Sequence, residues 1–282
     1  MPGVNTVRKR WKEAGLGLLT LLAVVLVIAL LQGTLHRYIP TGGAAVLALV
    51  CLGTYVAGVK WIEGRNPTEL ATRRALPELM GGLGLGFGLF SAVIGVLFAA
   101  GVYHPSGWGS GRGVADGLLL ALLAGTMEEI LFRGLLFRIL AKIVGTWGAL
   151  FLTSALFGLA HLANPAATVT SSVAIALEAG ILLGATYAAT QRLWLPIGLH
   201  VGWNFTEGSV FAMTISGHTA ATGLLKGSLS GAPLLTGGAF GPEASLVAVL
   251  ICLAAALFFL WRVVKLHRVE PPIWSRTPAR VV

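Results

Sequence analysis

The sequence predicts an all-α protein, a polytopic membrane helix bundle of about eight transmembrane helices. Of its 282 residues, 56% are hydrophobic and only 11% are charged, and the mean hydropathy is +0.83. Long apolar runs separated by polar or Gly/Pro-rich stretches favour helices over a barrel, whose strands would alternate polar and apolar residues. Basic residues flank these runs, so the net charge of +9 fits the positive-inside pattern and predicts no nucleic-acid partner.

Each predicted span is an apolar run of about 20 residues. The spans are, in order, residues 14–31, 42–61, 81–102, 114–142, 145–161, 168–190, 194–213 and 245–263. The first follows the basic stretch 8–12 and is expected to remain uncleaved, because it is long and no small-x-small cleavage site follows it. Further basic residues follow the second, sixth and last spans, and Arg138 and Lys142 lie at the end of the fourth. This distribution predicts a multi-pass protein of the cell (inner) membrane with both termini in the cytoplasm.

The chain divides into three regions. Residues 1–113 hold N-terminal transmembrane helices, 114–213 hold most of the intramembrane polar residues, and 214–282 hold a Gly-rich outer loop, the last span and a basic tail. The glycine series in residues 81–88 predicts close helix packing, since no strand precedes it and no Lys-Ser/Thr follows, as a nucleotide loop would need. Pro242 and Glu243 suit the first turn of the last helix.

Glu128, Glu129 and Arg133 lie inside an apolar span. Charges in lipid surroundings cost several kcal/mol unless they are paired or face a wet cavity, so a functional role is the first hypothesis. Glu129 and Arg133 are four residues apart and share one helix face, where they can form an ion pair. Glu128 is rotated by roughly 100° from Glu129 and is left free for chemistry.

Other intramembrane polar residues fall at a similar depth when about 1.5 Å is allowed per residue. They are His161, Glu178, His200 and Asn204. Taken singly, each histidine fits a packing role, Asn204 fits a bond between helices, and Glu178 fits a supporting partner, a substrate contact or a cavity-facing residue. Together they suit hydrolysis, because a carboxylate and an imidazole can deprotonate water while a histidine and an amide donate to an oxyanion. Zinc bound by Glu and two His is the alternative, although the usual two-histidine helix motif is absent.

Three motifs lie in order on successive predicted spans. They are Glu-Glu-x-x-x-Arg at Glu128, Glu129 and Arg133, Phe-x-x-x-His at Phe157 and His161, and His-x-x-x-Asn at His200 and Asn204. This series resembles the CPBP family of intramembrane proteases, which includes the type II CAAX prenyl endopeptidases. Residues 200–205 and 235–243 also resemble a bacterial branch of that family.

The resemblance implies roles for these residues. Glu128 and His161 would activate the attacking water, and His200 and Asn204 would stabilise the oxyanion. Glu129 and Arg133 would hold the site together. The family has been described both as glutamate-type and as metal-dependent; the metal-free form is favoured here, so no cofactor is expected, with zinc as the alternative.

The implied activity is intramembrane endopeptidase cleavage of a membrane-associated peptide or protein within the lipid bilayer. Peptide maturation, bacteriocin self-immunity and membrane-protein processing all fit a bacterial member. The rival hypothesis is a non-catalytic membrane protein, such as an immunity factor, a scaffold or a transporter subunit. A transporter is expected to show a repeat between its halves, whereas the polar residues here lie almost wholly in the second half.

Overall fold

The computed structural model describes residues 4–38, 42–219 and 223–275 and consists mainly of helices. The α-helices are α1 (Val4–Tyr38), α2 (Gly42–Trp61), α3 (Ala75–Ala99), α4 (Val114–Glu129), α5 (Arg138–Ala160), α6 (Val169–Ile175), α7 (Ile181–Thr190), α8 (Trp194–Phe205), α9 (Pro233–Thr236) and α10 (Leu246–Lys265). Two short strands, β1 (Tyr103–Trp108) and β2 (Leu225–Leu229), pair in the antiparallel sense. The predicted helical membrane bundle is confirmed.

Six helical stretches of the described chain are long and apolar enough to cross a bilayer. One of them, Val114–Ala163, turns at Gly145, where φ is 77°, and therefore contains two crossings. The predicted seventh span corresponds to α8 and the π-helical turn after it, which have 12 and 5 residues and are not among the six candidate spans. The helical bundle is therefore confirmed, and the number of about eight spans stays a prediction. The third helix begins earlier than predicted, at Ala75. Pro77 lies in its first turn, where backbone N–H groups have no partner within the helix, so the missing N–H of proline does not interrupt the helix.

Three helical stretches contain a π-helical segment, a rare local structure that often marks functional sites. These segments are Ile130–Phe137 between α4 and α5, Ala176–Gly180 between α6 and α7, and Thr206–Val210 after α8. Each segment carries one charged residue, and all three of these residues are buried: Arg133, Glu178 and Glu207. The π-helical segments thus bring charge into the interior of the bundle.

Helices α3 and α8 pack through glycines. A Cβ atom on Gly82 would lie 2.7 Å from the backbone nitrogen of Leu199 on α8. Gly86 of α3, and Gly198 and Gly202 of α8, also have the backbone of the opposite helix at close contact. The close packing predicted for the glycine series is confirmed at Gly82 and Gly86, since small residues let two backbones approach in this way, whereas a Cβ atom at Gly81, Gly84 or Gly88 would meet nothing within 4 Å. This contact fixes the position of α8, which carries two predicted site residues.

One end of the bundle, here called the basic end, joins segments near both termini. The Nζ atom of Lys142 lies 2.8 Å from Oε2 of Glu13, and Arg10 donates to the carbonyl oxygen of Lys142 at 3.1 Å. The backbone N–H of Thr146 donates to the carbonyl oxygen of Glu270, beyond α10, at 2.9 Å. The start of α1 and the segment after α10 therefore lie at the same end.

The opposite end carries the two-stranded sheet, with Tyr103 paired to Leu229. The Gly-rich outer loop predicted after the seventh span contains β2, and β1 lies between the third and fourth predicted spans, so the strands are an addition to the prediction. β1 contains glycine and proline and shows no alternation in burial, whereas the five residues of β2 alternate between partly buried and exposed. The two strands satisfy backbone groups by pairing with each other.

The predicted start of the last helix is also corrected. Pro242–Ala244 forms a separate 3₁₀ turn, and α10 begins at Leu246. The side chain of Ser245 caps α10 by accepting the Ala248 N–H at 3.1 Å. Glu243 therefore does not stabilise the helix end, and its side chain is buried inside the bundle.

Candidate active site

Glu129 and Arg133 form the predicted ion pair. Arg133 Nη1 lies 2.8 Å from Glu129 Oε1, and the side chains are 1% and 0% exposed. Glu129 is the last residue of α4, and Arg133 follows in the first π-helical segment. Because both charges are buried, each requires the other, and removing one partner of such a pair typically costs about 3–5 kcal/mol.

Arg133 also connects two other parts of the bundle. Its Nη2 donates to the carbonyl oxygens of Ala179 and Gly180, both at 3.1 Å, in the second π-helical segment. Its guanidinium carbon lies 4.8 Å from the ring centroid of Phe157 on α5, a cation–π contact. Arg133 therefore fixes the relative positions of the helices that carry the other site residues.

His200 stands between the two glutamates. Its Nδ1 lies 3.0 Å from Glu129 Oε1, and its Nε2 lies 4.0 Å from Glu128 Oε2. Nδ1 carries the proton, because a carboxylate oxygen only accepts. Glu128 Oε2 is buried and has no hydrogen-bond partner among the described residues. The Oε2 atom of Glu129 is likewise buried without a hydrogen-bond partner among the described residues. The two glutamates differ in that Oε1 of Glu129 contacts Arg133 and His200, whereas no hydrogen bond within the described residues holds Glu128, whose side chain is 22% exposed.

His161 is held by the end of its own helix. Its Nδ1 donates to the carbonyl oxygen of Phe157 at 2.8 Å, which leaves Nε2 for other contacts. The Phe157 ring lies 4.7 Å from the His161 ring and 6.3 Å from the His200 ring, measured between centroids. Within the described residues, His200 makes an ion-pair contact with Glu128 and His161 does not.

A narrow cleft, with a cavity volume of about 20 Å³, borders these groups. Its lining includes His161, His200, Asn204 and Glu178. Asn204 lies one helical turn after His200, so both side chains border the same space. Glu128 is not part of this lining and adjoins it through His200. The structure therefore groups the predicted site residues in one region of the bundle.

Two buried acidic residues beside the cleft, Glu207 and Glu243, were not predicted as site residues. Glu243 lines the cleft, and its Oε1 accepts the backbone N–H of Ser216 at 2.5 Å. Burial raises the pKa of Glu243, and the Ser216 hydrogen bond offsets part of that rise. The Glu207 carboxyl group contacts that of Glu243. Glu207 could have been identified from the sequence, because it is a carboxylate within the predicted seventh span. Glu243 could not, because the preceding Pro242 makes it resemble the start of a helix.

The donor side chains do not converge as metal ligands do. In the described ranges, no group of three His, Cys, Asp or Glu residues is arranged to hold a metal ion. Glu129 Oε1 and His200 Nδ1 contact each other, and the buried guanidinium of Arg133 beside them repels a cation. In this arrangement the described side chains do not form a zinc site, and zinc stays the alternative to the metal-free reaction.

Comparison with protein families gives a match over part of the chain. Residues 110–206 match the model described as Type II CAAX prenyl endopeptidase Rce1-like. The match supports the CAAX protease family. It spans all three motifs and, with the apolar helices, supports a multi-pass membrane protein of a protease family. Neither the curated proteins nor the solved structures give a match. The bacterial branch stays a prediction.

Proposed function

We propose that the protein is an intramembrane endopeptidase that hydrolyses peptide bonds of membrane-associated proteins or peptides. The state of Glu128 carries the proposal. Its Oε2 is buried without a hydrogen-bond partner among the described residues and lies 4.0 Å from His200. An ionisable group kept in an apolar span without a structural partner costs free energy that a purely structural position would avoid. Beside imidazoles and a cleft, it suits proton abstraction from water.

In this proposal Glu128 acts with His161 on the attacking water. His161 donates through Nδ1 to Phe157, and the proposal assigns its Nε2 to accept a hydrogen bond from the water. The water oxygen attacks the carbonyl carbon while Glu128 takes its proton. The proton then passes to the amide nitrogen as the C–N bond breaks.

His200 and Asn204 stabilise the negative charge that forms on the carbonyl oxygen. His200 lies between two carboxylates and donates through Nδ1 to Glu129, and the proposal assigns a second proton to its Nε2, which then donates to the oxyanion. The amide of Asn204, one turn along α8, supplies a second N–H. Donors directed at developing charge in a site of low polarity contribute a large part of the rate of acyl-transfer enzymes. Glu129 and Arg133 keep His200 in place.

The substrate is proposed to be membrane-associated, because the site lies among helices that cross the bilayer. The positive-inside rule assigns the basic end and both termini to the cytoplasmic face of a cell (inner) membrane. Helix α5 runs from Thr146 at the basic end toward His161. The cleft is therefore proposed to lie in the half of the bundle away from the cytoplasm. No metal takes part in the proposed reaction, and zinc dependence is the second choice.

Comparative peptidomics tests the proposal. Membranes that carry the wild type are compared with membranes that carry Glu128→Gln at the same level. We expect peptides with new termini in the wild-type sample that are absent from the variant. Identical peptide sets would contradict the endopeptidase and favour a non-catalytic protein, such as an immunity factor, a scaffold or a transporter subunit.

A further inference from the structure

The cleft continues from the proposed hydrolytic residues into an acidic end, defined by Glu178, Glu207 and Glu243. Glu178 and Glu243 line the cleft together with His161, and they are 3% and 2% exposed. Glu207 is 0% exposed, and its carboxyl group contacts that of Glu243. Three carboxyl groups therefore meet in the interior of the bundle.

The acidic end forms no salt bridge within the described residues, although the His161 imidazole in the same cleft interacts electrostatically with Glu243. Glu243 accepts a backbone N–H, and Glu178 contacts the thiol of Cys252. Both oxygens of Glu207 are buried and receive no hydrogen bond from the described residues. The guanidinium of Arg133, which acts on Glu178, is already bound to Glu129. Buried carboxyl groups of this kind either hold protons or become ionised when a cationic partner enters.

Trp203 is a second and independent feature of the same cleft. Its side chain lines the cleft, is 5% exposed, and packs edge-on against Phe90 with 5.0 Å between ring centroids. Its indole N–H is buried and finds no acceptor among the described residues. Buried indole N–H groups usually have a partner. The backbone carbonyl of a bound peptide would supply one.

The lining favours an organic cation over an inorganic ion. In the described chain, no group of three His, Cys, Asp or Glu residues is arranged to hold a metal ion, and this includes the carboxyl groups of the acidic end. An ammonium or guanidinium group needs no such cage, because its several N–H donors reach separate carboxylates. Leu182, Leu183 and Leu199 line the same cleft and would contact the aliphatic stem of a long basic side chain once the cleft has widened to admit it.

We propose that the acidic end is a substrate subsite for a lysine or arginine side chain close to the scissile bond. This rests on the proposed function, and it narrows the substrate class to membrane-associated peptides that carry a basic residue at one fixed position. Glu178 and Glu243 bind the cationic group, and Glu207 contacts the carboxyl group of Glu243. The indole N–H of Trp203 donates to the peptide backbone.

A peptide series tests the subsite. The peptides differ at one position, which carries lysine, norleucine or glutamate, and that position is moved along the sequence. Binding is measured by fluorescence anisotropy on the Glu128→Gln protein, and cleavage is measured on the wild type. We expect lysine at one position to bind roughly tenfold or more tightly than norleucine. Adding Glu178→Gln or Glu243→Gln should remove most of that preference and leave norleucine binding unchanged, whereas adding Glu13→Gln at the basic end should not.

The outcomes separate the subsite from the enzyme. Equal binding of the lysine and norleucine peptides at every position overturns the subsite, as does a parallel loss of both in the glutamate variants. Cleavage without a preference overturns the subsite and leaves the endopeptidase. Preferential binding without cleavage by the wild type contradicts the endopeptidase and leaves the subsite. Stabilisation of the peptide-free wild type by Na⁺, absent in Glu178→Gln, assigns the acidic end to an inorganic ion and overturns the subsite.

Discussion

Replacing Arg133 with leucine removes three sets of contacts at once. The buried carboxylate of Glu129 loses its partner at 2.8 Å, and the carbonyl oxygens of Ala179 and Gly180 lose their donors at 3.1 Å. The cation over the Phe157 ring is lost as well. Breaking a buried pair from one side costs about 3–5 kcal/mol, because an uncompensated charge stays in the interior.

The expected value lies near the lower limit of that range. His200 Nδ1 remains 3.0 Å from Glu129, so the carboxylate keeps one partner, and we expect a loss of about 3 kcal/mol. For a chain of this size 1 kcal/mol shifts Tm by about 2–4 °C, which gives a fall of roughly 6–12 °C. The double variant Glu129→Leu/Arg133→Leu leaves neither charge of the pair and should recover part of the fall.

Thermal unfolding in one detergent measures this effect. Cys51 and Cys252 are buried, so a thiol-reactive dye reports the opening of the bundle. Glu13→Gln is the control, because its pair with Lys142 is 38% and 22% exposed and is expected to contribute below about 1 kcal/mol. An Arg133→Leu protein with wild-type Tm, or a double variant in which the two losses simply add, would refute the buried pair as a stabilising unit.

Three further predictions concern the oxyanion donor, pH and metal. Asn204→Ala should lower turnover by roughly 10²-fold with a much smaller effect on substrate affinity. Asn204→Asp should retain partial activity that falls as pH rises. Equal rates in the wild type, Asn204→Ala and Asn204→Asp would show that Asn204 is only a packing residue. Burial opposes ionisation of Glu69, but the Arg65 guanidinium outweighs it and lowers the pKa of Glu69 from its ordinary value of 4.5. The stability that this ionised carboxylate contributes is present above pH 4.5 and is lost as pH falls through the lower folded pKa. Tm should therefore fall below about pH 4.5, and it should fall less steeply in Glu69→Gln. The same slope of Tm against pH in both proteins would contradict this. A strong chelator should leave cleavage unchanged, and the purified protein should carry no stoichiometric zinc; loss of activity that zinc restores would contradict the metal-free reaction.

The sequence predicts the features that depend on local spacing. Long apolar runs and flanking basic residues predict the helices, since lipid selects for both. Spacing of four residues predicts the pair of Glu129 and Arg133. The glycine series predicts close packing of α3, and the structure shows that its partner is α8. These features require only that a helix forms, because the helix itself then determines which side chains share a face.

Features that depend on distant parts of the chain could not be predicted in this way. The contact between His200 and Glu129 joins residues 71 positions apart, and no helical period reports it. The π-helical segments arise where tertiary contacts compete with the regular helix, and residue preferences do not mark them. The partnership of Glu207 with Glu243 depends on the path of the loop before α10, so neither carboxylate alone identifies the acidic end.

The rate and stability of purified Glu128→Gln, measured beside the wild type, test the central claim most directly. Any peptide that peptidomics identifies serves as substrate. Glu128 Oε2 has no hydrogen-bond partner in the described chain, so the substitution should leave Tm within about 2 °C of the wild type. Loss of the general base should lower the cleavage rate by roughly 10²-fold or more. Cleavage at the wild-type rate by a folded Glu128→Gln protein would contradict the claim that Glu128 activates the water.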